Sequence, residues 1–416
     1  MKEFLHLDFE TRSTQILGDK DSVGLDNYWR HESTQILMLA YAFGNGPVEL
    51  WQPRFGSIPD RLHRALVEVG HPLAAWNSGF ERKGLETKLA IVTPIDRWHD
   101  PQASARYLSM PGALDKVGPI LGLPTELQKD ERGEALIDLF SKPHFTKKKK
   151  GVEPVMYFND WNSHPVEWEE FCEYCRQDVV AEREIMHREI QLGAFPLPEL
   201  ERKIWVFDQQ VNDRGIPVSV KFARSAYKLA TRDKEEAIKK QNELTGLQNA
   251  NSNTQLLAWA KTQGYEPNTL NKNTVDAELK YRRDILTPLC AEVLEARRAA
   301  SSTTYKKLSA ILRLVSSDGR LRNQFLYMGS ARCGRWSGTG VQLHNLSRSG
   351  MVGSYNFEDE KVLDEARQMV YNEDYDGIKA KFGSVLLVIK NLIRTTFSCE
   401  DYESRFEDSP EIAEGV

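Results

Sequence analysis

Asp8 and Glu10 stand two apart at the end of a short apolar-leaning run, Phe4-Leu5-His6-Leu7-Asp8-Phe9. Such a run predicts a buried strand, and strand alternation sends both carboxylates to one side. Tyr174 and Asp178 stand four apart within residues 167–189, which read as helix, so the phenol and the carboxylate share a face. Between these pairs lies Ala74-Ala75-Trp76-Asn77-Ser78-Gly79-Phe80-Glu81, where a strand passes into a helix opened by Glu81. Oxygen-only donor sets of this kind suit Mg²⁺ or Mn²⁺, and two such ions can clamp the attacking and leaving oxygens of a phosphodiester.

Other chemistry-bearing residues have plainer readings. Cys172 and Cys175 lack the further ligands a zinc site needs, and they fall on the helix of Tyr174, so they read as packing. His6 alternates with Asp8 and reads as a core or edge histidine. Asp100 precedes a helix and reads as its N-cap. Phe9 and Phe80 could stack on a terminal base, but the buried habit of Phe favours core packing.

The elements that must position these groups read as α/β up to about residue 190. Residues 37–43 and 48–51 predict two further strands joined at Gly44-Asn45-Gly46-Pro47. Residues 60–69 predict a helix ended by Gly70, residues 73–76 a strand, and residues 100–108 and 114–121 two helices. The aromatic-rich stretch 161–168 is expected to cover the sheet. The break Leu192-Gly193-Ala194-Phe195-Pro196-Leu197-Pro198 marks a domain boundary. Beyond it the pattern is mainly helical: 199–214, 222–244, a helix from Asn253 as N-cap to Gly264, 273–283, and one long helix over 286–314.

At 416 residues the chain has room for two or three domains. Its 40 % hydrophobic and 28 % charged residues are those of a globular protein, and no apolar run approaches the ~18–20 residues of a membrane span. Five cysteines without framework spacing, and a start directly in a strand, predict a reducing cytoplasmic location and no membrane partner. The net charge of −5 leaves nucleic-acid binding to local patches.

Three such patches are present. Lys147-Lys148-Lys149-Lys150-Gly151 reads as a solvated loop able to touch a phosphate backbone. The 286–314 segment carries a basic face that includes Lys306 and Lys307. Residues 328–348 hold four glycines interleaved with Arg332, Arg335, Gln342, Asn345 and Arg348. Glycine lets backbone approach a ligand, Arg contacts phosphate, and Gln and Asn reach minor-groove acceptors with little sequence preference.

The order Asp8-x-Glu10, Asn77-x-x-x-Glu81, Tyr174-x-x-x-Asp178 resembles the three motifs of the DEDDy 3′–5′ exonucleases. In that family the middle acid is usually Asp; Glu81 keeps the charge and adds one methylene. Gly334-Arg335-Trp336-Ser337 followed by Gln342-Leu343-His344-Asn345-Leu346 resembles the motif that begins the palm of family-A DNA polymerases, above all the phage versions. Gly133-Glu134-Ala135-Leu136-Ile137-Asp138-Leu139-Phe140, Arg214-Gly215-Ile216, Gln255-Leu256 with Trp259, residues 270–274, Leu294-Glu295-Ala296-Arg297-Arg298, and Asn391-Leu392-Ile393-Arg394-Thr395-Thr396-Phe397 extend the resemblance over almost the whole chain.

The resemblance implies a ribonuclease-H-like exonuclease domain with a mixed sheet at 1–192, a helical thumb-like region at 199–317, the start of a palm at 318–397, and an acidic tail at 398–416. It implies that Asp8, Glu10, Glu81 and Asp178 hold two Mg²⁺ or Mn²⁺ ions, that Tyr174 orients the attacking water, and that Asn77 supports the second motif. The expected activity is proofreading removal of nucleoside 5′-monophosphates from single-stranded 3′ ends. Arg332, Arg335, Gln342, Asn345, Arg348, Lys306 and Lys307 are expected to hold primer–template DNA. The apolar strand bearing the first polymerase Asp is not found after Phe397, and Asp401-Tyr402-Glu403-Ser404 reads as a chance echo. Polymerase activity is therefore not expected from this chain alone, and a separate C-terminal polypeptide is an expected partner. Its absence predicts an exposed apolar face over 385–397. Two other readings share the motifs: an RNA-directed exonuclease of the ribonuclease D type, and a non-catalytic DNA-clamping subunit.

Overall fold

The structure, a computed structural model, describes residues 3–18, 20–68, 71–127, 132–148, 152–301, 304–330 and 332–397. The Gly70 helix stop, Lys149 to Gly151 and the acidic tail lie outside the described residues. The chain forms two compact units, Met1–Gly215 with Arg320–Gln342, and Ile216–Gly319 with Leu343–Val416.

The first unit is built on a five-stranded mixed sheet. β1 (Leu5–Arg12) is central and pairs antiparallel with β2 (Gln35–Phe43), which pairs antiparallel with β3 (Glu49–Trp51). On its other side β1 pairs parallel with β4 (Leu73–Ala74), and β4 parallel with β5 (Trp98–His99), giving the order β3-β2-β1-β4-β5. Strand alternation divides the residues of β1 between two cores. Leu5, Leu7 and Phe9 pack with Trp29 of α1 (Leu25–Arg30), Leu62 and Leu66 of α2 (Asp60–Val67) and Leu85 of α3 (Gly79–Leu89). The other face carries His6, Asp8 and Glu10. Their β2 neighbours Ala42, Ala40 and Met38 join a core with Cys172, Cys175 and Val179 of α7 (Pro165–Gln191) and with Leu136 and Phe140 of α6 (Gly133–Phe140). Two alanines opposite His6 and Asp8 leave room for polar groups beneath the helix. At 27 residues α7 is about 40 Å long, enough to cross the whole sheet. α4 (Pro101–Tyr107) and α5 (Leu114–Ile120) also pack on α7. α8 (Glu199–Arg214) is tied to α3 by Arg82, which bonds Asp213 and, at 3.1 Å, Gln209.

The expected strands and helices of this unit are present with ends shifted by a few residues. The short α1 and β5 have too little periodicity to be legible in sequence. The Gly-rich run contains part of a hairpin in which Phe325–Ser330 pairs with Arg335–Gly338. Gly329 is required there by space, since a Cβ would lie 1.9 Å from the Ser337 hydroxyl.

The second unit is helical, with α9 (Val220–Thr245), α10 (Asn253–Thr262), α11 (Lys272–Tyr281), α12 (Pro288–Ala300), α13 (Thr304–Leu314), α14 (Glu360–Tyr371), α15 (Tyr375–Phe382) and α16 (Val385–Leu392). The N-cap of α10 is Ser252, one residue before the expected Asn253. The single helix expected over 286–314 is two. α12 ends at Ala300, and the hydroxyl of its C-cap Ser301 donates back to the Arg298 carbonyl at 3.2 Å, the competition for backbone hydrogen bonds that Ser brings to a helix end. The exposed apolar face expected over 385–397 is not found among the described residues. Val385, Leu386, Val388, Ile389, Leu392 and Ile393 are buried by packing of α16 on α9, α14 and α15, and Leu387 is the large apolar side chain left exposed.

Candidate active site

β1 delivers Asp8 and Glu10 to the face beneath α7, and α7 delivers Asp178 to the same place. One carboxylate oxygen from each of the three lies within 4.8 Å of the others. Glu10 and Asp178 are buried and Asp8 is partly so. Three carboxylates at this separation repel in a poorly solvated setting unless a cation or protons intervene, and an all-oxygen set matches hard divalent ions. The donors therefore fit Mg²⁺ or Mn²⁺.

Glu81, in the first turn of α3, is 3 % exposed but stands outside that set of three. Burial, and then the neighbouring charge of Asp8, push its carboxyl well above the usual range. Its Oε2 has no hydrogen-bond partner among the described residues. Glu81 thus lies buried beside the charge of Asp8 with one oxygen uncommitted.

Tyr174 is 1 % exposed and its hydroxyl bonds Asp178. Burial first, then the charges of Asp178, Glu10 and Asp8, drive its pKa far upward, so the phenol stays protonated. Its single O–H is directed to Asp178, which leaves the phenol oxygen as an acceptor. Gly133, at the start of α6, lies against the ring, where a Cβ would come within 2.1 Å of it. Cys175 is fully buried, and its thiol points at the Asp8 carboxylate and carbonyl, each at 3.7 Å. That contact gives the cysteine read as packing a polar role.

The turn that launches α3 is organised by Asp100. Its carboxylate accepts the backbone N–H groups of Asn77 (3.1 Å), Ser78 (2.9 Å) and Gln102 (2.9 Å) and the Ser78 hydroxyl (3.1 Å). It is the N-cap of α4 as expected, and it also fixes the loop that aims Glu81. Asn77 has φ 63°, a left-handed conformation Asn tolerates better than most residues. The sequence carried a signal for this role only in the adjacency of Asp100 to a helix start. His6 is a core histidine, its Nδ1 3.2 Å from Glu182 Oε1 one helical turn beyond Asp178. Phe9 is core, 5.9 Å from Trp29, whereas Phe80 is half-buried against the same indole.

The expected DNA-contacting residues fall on both units. Arg332 and Arg335 are exposed on the Phe325–Gly338 hairpin, with Arg335 Nε 3.1 Å from Cys333 Sγ, and Gln342 is exposed just beyond it. The indole of Trp336 bonds Asp208 on α8, which anchors that hairpin. Asn345, Arg348 and Lys306 are exposed on the second unit, and Lys307 is partly buried there. Lys307 lines a cleft of about 1040 Å³ together with Lys272, Arg298 and Lys390.

No family model matches the chain. The DNA polymerase of Bacillus phage SP02 is 32 % identical over 394 residues, which is 94 % of this chain and 57 % of that protein, so the chain spans little more than half of the relative's length. Among solved structures, the POL domain of Pol1 from M. smegmatis, in complex with DNA primer-template and dNTP, is 16 % identical, with a TM-score of 0.48 over 83 % of this chain and 52 % of that one. Among the described residues no helix is long and apolar enough to cross a membrane.

Proposed function

We propose that the first unit is a metal-dependent 3′–5′ exonuclease on a ribonuclease-H-like sheet. In this reading the chain as a whole is the proofreading and primer–template-holding part of a family-A DNA polymerase. The observation that carries the first part is the convergence of Asp8, Glu10 and Asp178 within 4.8 Å, with the Tyr174 phenol bonded to Asp178. The similarity to a phage DNA polymerase supports DNA as the substrate.

Asp8, Glu10 and Asp178 would hold the divalent ions, with Glu81 beside Asp8 as the further carboxylate. Bound ions would supply Lewis-acid activation and charge neutralisation at the scissile phosphate. Tyr174, its O–H directed to Asp178, would orient the attacking water by accepting a hydrogen bond on its phenol oxygen. The Cys175 thiol and the α7 backbone hold Asp8 and Asp178 in place. The products are nucleoside 5′-monophosphates.

The test is hydrolysis of a 3′-labelled single strand in Mg²⁺ or Mn²⁺. Asp8→Ala is expected to lower the rate by about 10²–10³-fold or more, the several kcal/mol that metal activation contributes. Equal, negligible rates in both proteins would overturn the reading. They would favour the second one, a DNA-clamping subunit with an idle site, for which the position of Glu81 outside the set of three speaks. Running the assay on RNA as well separates a ribonuclease D type activity.

A further inference from the structure

β6 (His144–Phe145) and β7 (Met156–Tyr157) form a small hairpin that the proposed chemistry does not use. His144 pairs with Tyr157 and Phe145 with Met156. Its root is firmly held: His144 Nε2 lies 2.9 Å from the Leu139 carbonyl, and the buried Asn159 side chain donates to the same oxygen at 3.1 Å. Its outer part is not covered. Phe145 is 62 % exposed, Val155 63 %, Met156 44 % and Tyr157 45 %. By strand alternation Phe145 and Met156 share one face of the hairpin and Tyr157 lies with His144 on the other, so the exposed Phe145 and Met156 make the apolar surface that calls for an occupant.

Charge narrows the occupant. Between positions 144 and 157 there are four lysines and one acid, Glu153, in a chain whose net charge is −5. Lys147 and Lys148 are exposed. A flat ring beside cations suits an anionic polymer with π-faces, a single nucleic-acid strand, better than an apolar protein surface.

Position narrows it further. His6, Asp8, Glu10 and Arg12 lie along one face of β1. Arg12 is about 7 Å beyond Glu10 at the usual strand rise, and its guanidinium sits 5.2 Å from the ring centre of Phe158, the residue that follows β7. The hairpin thus adjoins the end of the strand that carries Asp8 and Glu10.

We propose that the β6–β7 hairpin is a landing platform for single-stranded nucleic acid. A base stacks on Phe145 beside Met156, Lys147 and Lys148 take backbone phosphates, and the strand runs along Arg12 so that its 3′ end reaches Asp8, Glu10 and Asp178. The delivery of a 3′ end rests on the exonuclease reading; the binding of a strand does not.

The experiment compares wild-type chain, Phe145→Ala and Lys147→Glu/Lys148→Glu. Fluorescence anisotropy with labelled dT20 and rU20 in EDTA reads binding, and Mn²⁺-dependent hydrolysis of dT20 and of a dT trinucleotide reads delivery. Each variant is expected to raise Kd for the 20-mer about tenfold, as loss of a stacking or phosphate contact does. Each should raise KM for dT20 in step while the trinucleotide is cut at the wild-type rate. A difference between dT20 and rU20 assigns the strand as DNA or RNA. Unchanged Kd in both variants overturns the proposal, and so does loss of self-association on sedimentation with Kd unchanged, which would assign the face to a second copy. If the aromatic variant melts early, the lysine variant alone decides. Wild-type chain that cuts nothing, with variants that bind weakly, would sink the exonuclease reading and leave the platform standing; the converse would do the reverse.

Discussion

Tyr174 shows how burial selects a role for a residue. Burial and the charges of Asp178, Glu10 and Asp8 raise the pKa of a phenol packed against α6, and its O–H is directed to Asp178. That direction depends on Gly133, whose missing side chain leaves room for the ring. Gly133→Ala is expected to tilt or expel the ring and so act on kcat rather than KM. A misplacement of about 1 Å can cost about 10²-fold, and steady-state kinetics on a short single strand, with melting temperature as the control for folding, measures it. The residues legible in sequence were those with fixed spacing, Asp8 with Glu10 and Tyr174 with Asp178. Cys175 was not, because its contact with Asp8 spans 167 positions and follows from which face of α7 meets the sheet.

Among elements, α3 and the turn before it decide where Glu81 sits. The strand-to-helix junction was legible from Leu73 through Glu81, because an apolar run gives way to a helix-forming one. The anchor was not, because Asp100 lies 22 positions from Ser78 and reaches it only when β4 and β5 pair. Removing that carboxylate leaves buried N–H groups of Ser78 and Gln102 without an acceptor, at about 1–3 kcal/mol each, and removes a helix cap. Asp100→Ala is expected to destabilise the protein by about 2–4 kcal/mol in urea denaturation, with Asp100→Asn recovering part of it. A loss under about 1 kcal/mol would show that the turn holds without its anchor. The 286–314 segment teaches the opposite lesson. Its composition is uniformly helical, yet α12 ends at Ala300, where the Ser301 hydroxyl turns back to the Arg298 carbonyl.

For the whole molecule, the mixed α/β class and the helical second half were legible from the change of period near residue 192. The grouping of Arg320–Gln342 with the N-terminal residues was not. It depends on Tyr327 bonding Glu201 at 2.6 Å and on Trp336 bonding Asp208, contacts more than a hundred positions apart that no local pattern announces. The apolar α16 was legible as a segment needing cover but not as one covered by its own unit. If the exposed Arg335 grips a duplex, Arg335→Ala should weaken duplex binding evenly across sequences and lower the salt slope by about 1, with little change in single-strand hydrolysis. A sequence-selective loss in anisotropy titrations would contradict that role.

The central claim is that three distant carboxylates are brought together to hold catalytic ions. Anomalous diffraction from crystals soaked in Mn²⁺ tests it most directly. A Mn²⁺ peak ligated by Asp8, Glu10 and Asp178 is the predicted result; soaked crystals that show Mn²⁺ elsewhere, or none at these carboxylates, would contradict it.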